Sequence, residues 1–181
     1  MRGVQERWPV PALTDETAVV TEGRSHGTSS TGAAGLAVAA GVVAVVVLAD
    51  QLTKWWAVDR LSSGPVHVVW RLDMELSLNT GSAFSLFRGA TFLIVVIAVA
   101  LVAVLLVMVW RSATLGRAAI LGLILGGALG NLCDRFFRGG HGAVVDFINF
   151  HFWPTFNVAD ACITVGCILL AVSVLRGRPT P

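Results

Sequence analysis

From Phe92 to Trp110 the chain carries nineteen consecutive apolar residues without a single charge. As a helix this run is ~28 Å long, matching the ~30 Å hydrocarbon core of a bilayer. No water is available there to satisfy peptide groups, so an isolated run of this kind must be helical. A chain of 181 residues that is 55% hydrophobic and only 13% charged could not bury its remaining apolar runs in one soluble core. A soluble enzyme is excluded.

Three further spans are predicted at about 33–49, 118–133 and 158–175, the first continuing helically to Val58. The third carries Gly122, Gly126, Gly127 and Gly130, a small-residue face that lets a neighbouring helix approach closely. Between the first two spans, about 59–91, segments such as Val66-His67-Val68-Val69-Trp70 and Met74-Glu75-Leu76-Ser77-Leu78 alternate with period two. They predict a small extracytoplasmic β-sheet. The fold class is therefore an all-α membrane protein of four transmembrane helices, with that sheet between helices 1 and 2. Residues 1–31 are polar and lack periodicity, as expected of a disordered tail; they do not have the layout of a secretory signal peptide. Residues 177–181 form a second short tail.

Four spans leave both termini on one side. Arg2, Arg7, Arg24, Arg111, Arg117, Arg176 and Arg178 stand there, seven against the six of the other side, Lys54, Arg60, Arg71, Arg88, Arg135 and Arg138. The short 111–117 connection and the C-terminal pair directly flank spans, which favours cytoplasmic termini. With a net charge of +2 and no basic block, neither nucleic acid nor a polybasic lipid-binding patch is implied. Cys133, Cys162 and Cys167 lie in or beside apolar stretches and are expected to pack as small hydrophobes. No cluster has metal-ligand spacing.

The acidic residues carry most information, because an ionisable group at the bilayer boundary is costly. Asp50, Asp59, Asp73, Glu75, Asp134, Asp146 and Asp160 all fall on the outer side, with all four Asn: Asn79, Asn131, Asn149 and Asn157. Any one of them could equally cap a helix or satisfy a turn. Asp146 and Asp160 would be ~21 Å apart on one straight helix, but Gly139-Gly140-His141-Gly142 precedes the first and Pro154 lies between them. A turn there lets the two carboxylates meet, and like charge in a low dielectric would then prevent both ionising together. Such pairs activate water in aspartic peptidases.

The clusters Asp50-Gln51-Leu52-Thr53-Lys54, Asn79-Thr80-Gly81-Ser82-Ala83-Phe84, Gly130-Asn131-Leu132-Cys133-Asp134-Arg135, Val144-Val145-Asp146-Phe147-Ile148 and Phe156-Asn157-Val158-Ala159-Asp160, in this order on four spans, closely resemble the bacterial lipoprotein signal peptidases (signal peptidase II). The likeness covers about residues 35–176. The resemblance implies an intramembrane aspartic endopeptidase of the bacterial cytoplasmic (inner) membrane, with its active site at the extracytoplasmic face and the peptidase domain over residues 32–176. It would cleave prolipoproteins just before a diacylglyceryl-modified cysteine. By the same likeness Asp146 and Asp160 are the catalytic pair, and Asn131, Arg135, Asn79 and Asn157 meet the substrate. Asp50, Lys54, Asp134 and Gly81 support the site, with Asp134 expected to hold the Arg135 guanidinium. No cofactor or metal is implied; the expected partners are lipid-modified prolipoproteins and membrane lipids, with the protein a monomer. The 14-residue interval between the two Asp reads as a shortened connection.

Two other classes stay open at this level. A proton- or cation-coupled transporter would also place acids in spans, but wants inverted repeats or a mid-membrane charge. Neither is visible. A non-catalytic assembly subunit keeps the fold and needs no carboxylate pair, and a Cys or Ser peptidase lacks any Cys–His or Ser–His arrangement.

Overall fold

The structure, a computed structural model, describes residues 29–80, 90–112, 114–138 and 142–176. Most of the predicted N-terminal tail, Gly81 with most of its cluster, the glycines 139 and 140, and the C-terminal tail lie outside the described residues. The elements run α1 (Ser29–Leu61), β1 (Val66–Val69), β2 (Leu72–Asn79), α2 (Ala90–Trp110), α3 (Leu115–Phe137), β3 (Val144–Asn149) and α4 (Val158–Arg176). All four helices are long and apolar enough to cross a membrane.

At 33 residues, α1 is ~50 Å long, more than one hydrocarbon layer requires. Its last turns, from Asp50 onward, therefore stand at one end of the bundle. The C-terminus of α3 and the N-terminus of α4 meet them there, and this end carries the polar chemistry.

α3 is the central helix. In its most apolar stretch 61% of the residues are buried, against 17%, 11% and 11% for α1, α2 and α4, whose remaining apolar surface suits lipid. Ala39, Leu105, Val109, Ala118, Leu121, Ile124 and Leu125 form the core where α1, α2 and α3 pack. The predicted small-residue face serves two neighbours. Gly122, Gly126 and Gly130, four residues apart, face α1, while Gly127 faces α4: a Cβ on Gly127 would sit 2.5 Å from the Ala159 carbonyl oxygen.

The sheet departs from expectation. It has three antiparallel strands in the order β1-β2-β3, so the hairpin between α1 and α2 is completed by a strand from between α3 and α4. β3 was not foreseen because Val144, Val145, Asp146 and Phe147 are all buried, and a strand covered on both faces shows no alternation. Its register sets Ser77 opposite Asp146 and Leu78 opposite Val145. Ala57 and Leu61 of α1 pack with Val145 and Phe147, seating the strand on the bundle. α1 itself runs to Leu61, so residues 59–61 belong to the helix rather than to the sheet segment.

Gly127→Ala should therefore destabilise the protein by about 1–3 kcal/mol through overpacking. Gly41→Ala, where a Cβ meets nothing within 4 Å, should be neutral or stabilising, because Ala is the better helix former. Thermal unfolding in detergent checks this; equal melting temperatures for the two variants would contradict the close α3–α4 contact.

Candidate active site

Asp50 and Lys54 are one helical turn apart and fully buried at the end of α1. The Lys54 Nζ lies 2.9 Å from Asp50 Oδ2 and 2.9 Å from Asp134 Oδ2 of α3, and donates to Asn131 Oδ1 at 3.0 Å. All three ammonium protons thus have partners, which a buried cation requires. The carboxylates are occupied as well. Asp50 Oδ1 accepts the Ala159 N–H at 3.0 Å, one of the otherwise unpaired donors at the start of α4. Asp134 Oδ2 accepts the Val145 N–H at 3.0 Å, tying β3 to α3. Gln51 closes the group: its Nε2 donates to Asp134 Oδ1 at 3.1 Å and to the Gly130 carbonyl at 3.1 Å.

These contacts decide where the next side chains point. With its Oδ1 fixed by Lys54, Asn131 turns its Nδ2 to Asp160 Oδ1 at 2.8 Å. Asn157 caps α4: its Oδ1 accepts the Asp160 N–H at 2.9 Å, while Asp160 Oδ2 accepts the Asn157 N–H at 3.3 Å, a reciprocal capping box. The Asn157 Nδ2 reaches Asp146 Oδ1 at 2.7 Å and the Val145 carbonyl at 3.3 Å. Asn79, at the end of β2, donates to Asp146 Oδ2 at 3.0 Å. One buried residue, Asn157, therefore bonds to both Asp146 and Asp160.

Their environments differ. Asp146 is 1% exposed. Burial pushes its carboxyl up to about 6, against the hydrogen bonds from Asn79 and Asn157, with the nearby charge of Asp160 pushing the same way as burial. Asp160 stands in the first turn of α4, beside the unpaired N–H groups of the helix start, and its carboxyl accepts two hydrogen bonds. It opens on a cavity of about 400 Å³ walled by Phe150, Phe152, Trp153, Phe156, Ala161, Thr164 and Val165. The return from β3 to α4 is held by an antiparallel bridge between Ile148 and Phe156, which accounts for the short interval between the two Asp.

The expected residues Asp146, Asp160, Asn131, Asn79, Asn157, Asp50, Lys54 and Asp134 come together here, and Arg135 lies close enough for its charge to act on Asp160 and Asp146. Two expectations need correction. Asp134 does not hold Arg135. Its Oδ1 accepts from Arg138 Nε at 2.7 Å, because residues four apart share a helix face and adjacent ones do not; Arg135 instead donates to the Asn131 carbonyl at 3.1 Å. Asn157 does not line the site surface: it is 0% exposed, with its polar atoms spent on protein partners. Gln51 and Arg138 went unassigned, although the Asp134–Arg138 spacing was visible.

Residues 42–176 match the family model described as signal peptidase (SPase) II. The chain is 46% identical over 143 residues to a lipoprotein signal peptidase of Rhodococcus jostii, covering 75% of this chain and 72% of that protein. To the lipoprotein signal peptidase of Rickettsia felis it is 41% identical over 142 residues, covering 71% and 70%. A bacterial membrane enzyme solved in meso at 1.9 Å resolution superimposes with a TM-score of 0.71 at 26% identity, over 79% of this chain and 96% of that one.

Lys54→Met should cost about 3–5 kcal/mol, the penalty for leaving buried carboxylates without their cation. Adding Asp134→Asn should recover part of it. Folded yield and melting temperature in detergent measure both; a single variant as stable as the parent would refute the role given to Lys54.

Proposed function

The chain belongs to the signal peptidase II family, membrane aspartic peptidases that process prolipoproteins, and from that premise we propose that Asp146 and Asp160 are its catalytic pair, acting at the extracytoplasmic face of the bacterial inner membrane. The observation that carries this is buried Asn157, whose side-chain amide donates to the Asp146 carboxyl and whose backbone N–H donates to the Asp160 carboxyl, so that one residue joins two carboxyl groups in unlike surroundings. The protein removes the signal peptide just before the diacylglyceryl-modified cysteine.

Asp146, whose carboxyl keeps its proton up to about 6, is the acid. Asp160 is the base. The ionised Asp160 takes a proton from water as the oxygen attacks the scissile carbonyl, while protonated Asp146 donates to the carbonyl oxygen. The tetrahedral diol then collapses: the proton held by Asp160 passes to the amide nitrogen, the C–N bond breaks, and Asp146 recovers its proton. The products are the signal peptide's new carboxylic acid, which then gives up its proton, and the free amine of the lipidated cysteine.

A peptide bond presented for cleavage must leave its helix, and its freed amide groups need partners. Arg135, half-buried with one nitrogen on the Asn131 carbonyl, is suited to meet a substrate carbonyl, with Asn131 one turn away on the same helix and Asn79 on the Asp146 carboxyl. Asn157 is a positioning residue. Asp50, Lys54 and Asp134 support the site from below, and Gly81 keeps a supporting role on the motif alone. The protein is proposed to be a monomer, since the polar groups of the site find their partners without a second copy, and the exposed apolar sides of α2 support contact with membrane lipids. The transporter alternative is not favoured, since its acids would have to line a path rather than close on one residue, Asn157.

Asp146→Asn and Asp160→Asn should each abolish cleavage of a diacylglyceryl-modified prolipoprotein while the protein still inserts. The double variant should be no worse than either single one, as for residues that act as a unit. Mass spectrometry of the product checks this; turnover by folded Asp160→Asn would overturn the assignment.

A second expectation concerns pH. The folded carboxyl of Asp146 is raised, so its proton is lost as pH rises through about 6, where an ordinary carboxyl would lose it near about 4. kcat/KM should therefore fall on the alkaline side with a midpoint in that region. A profile flat from pH 5 to 8 would contradict it.

A further inference from the structure

Asp73 of β2 holds two imidazoles at once. Its Oδ1 lies 2.6 Å from His67 Nδ1 of β1, and its Oδ2 lies 2.7 Å from His151 Nε2, just beyond β3. Both rings are largely exposed and the carboxylate is 22% exposed. These hydrogen bonds, that of His67 first, hold the Asp73 carboxyl below the usual carboxylate range. Among the described residues no group of three such side chains is arranged to hold a metal ion; the cluster is a hydrogen-bonded clamp.

The clamp acts on an unusual piece of backbone. His151 has φ 63°, in the left-handed region that non-glycine residues avoid, so its surroundings must hold it there. Two further bonds pin the same turn to the sheet. The His151 N–H donates to Asn149 Oδ1 at 2.7 Å, and Asn149 Nδ2 donates to Glu75 Oε2 at 2.8 Å.

The residues flanking this turn are walls of the catalytic cavity: Phe150 on one side, Phe152 and Trp153 on the other. Phe150 stacks on Phe156 at 6.1 Å, and Phe152 lies 6.5 Å from Trp70 in the β1–β2 turn. A contiguous line of contacts thus runs from Asp73 through His151 to the aromatic surface beside Asp160. An isolated exposed pair contributes little to folding stability. Its effect here is on where the aromatic wall stands.

We propose that Asp73, by gripping His151 in its left-handed turn, positions the aromatic wall of the cavity on which Asp160 opens and so determines how tightly the reacting segment of the substrate is held. His151 and Asp73 are positioning residues that act on substrate binding and not on the chemical step. The inference rests on Asp160 being catalytic.

The test is steady-state cleavage of a diacylglyceryl-modified prolipoprotein by the full chain in lipid nanodiscs. Asp73→Ala and His151→Ala should each raise KM by roughly tenfold, the scale of a misplaced binding surface, with kcat within about twofold and melting temperature little changed. The double variant should match either single one. His151→Gly separates the clamp from the turn, because glycine adopts the left-handed conformation freely but has no ring; it should show the same rise in KM. His67→Ala, which leaves the His151 contact intact, should have a smaller effect. An unchanged KM, restoration of KM by His151→Gly, or a joint fall of kcat and folded fraction would each overturn the proposal. Asp160→Asn is assayed alongside: its activity would refute the catalytic reading itself, whereas an inactive Asp160→Asn with unaltered KM in the clamp variants would sink the clamp alone.

Discussion

A single buried cation organises the polar end of this protein. Lys54 sits between Asp50 and Asp134 with no solvent contact, and an ion so placed is tolerable only if each of its donors is matched. Matching them fixes much more than Lys54. The second oxygen of Asp50 takes a free N–H of α4, and the Asp134 oxygen that meets Lys54 also takes an N–H of β3, so α1, α3, α4 and β3 are registered against one charge. Gly130 makes this possible, since a Cβ there would fall 2.6 Å from Asp50 Oδ2.

The proposed catalytic arrangement follows from that registration. Asn131 has one amide oxygen and one amide nitrogen to orient; Lys54 claims the oxygen, which leaves the nitrogen for Asp160. Asn157 repeats the device, capping the helix that bears Asp160 while bonding to Asp146. Two chemically identical side chains thereby receive opposite surroundings: one in a doubly covered strand, the other at a helix N-terminus. Such a division lets one carboxyl keep a proton while its neighbour accepts one.

Much of this was legible before the structure, for physical reasons that differ between elements. The four spans are legible because lipid admits only backbone that satisfies itself, and the glycine face because helices that touch closely cannot carry side chains there. The β1–β2 hairpin shows its period in the sequence, and it stays at the open side of the sheet, with β1 exposed along its whole length. β3 does not, because Val144 to Phe147 are covered on both sides, so the strand carrying Asp146 read as a polar cluster of unknown shape. The site residues were recognisable as motifs, but their partners were not. That Asp134 faces Arg138 and Lys54, and not Arg135, follows from helical geometry and tertiary contact. That Asn157 is sealed inside follows from the capping of α4. The Asp73 clamp depends on a bond from β2 to a residue 78 positions away, which no local pattern encodes.

The two proposed catalytic carboxyls are held in unlike protonation environments, and carbon-13 NMR of aspartate carboxyls in the nanodisc-embedded protein tests this most directly. One aspartate resonance should titrate near about 6 and disappear in Asp146→Asn. If every aspartate completes its titration below about pH 5, in the range of ordinary carboxyls, the division of labour between Asp146 and Asp160 is wrong.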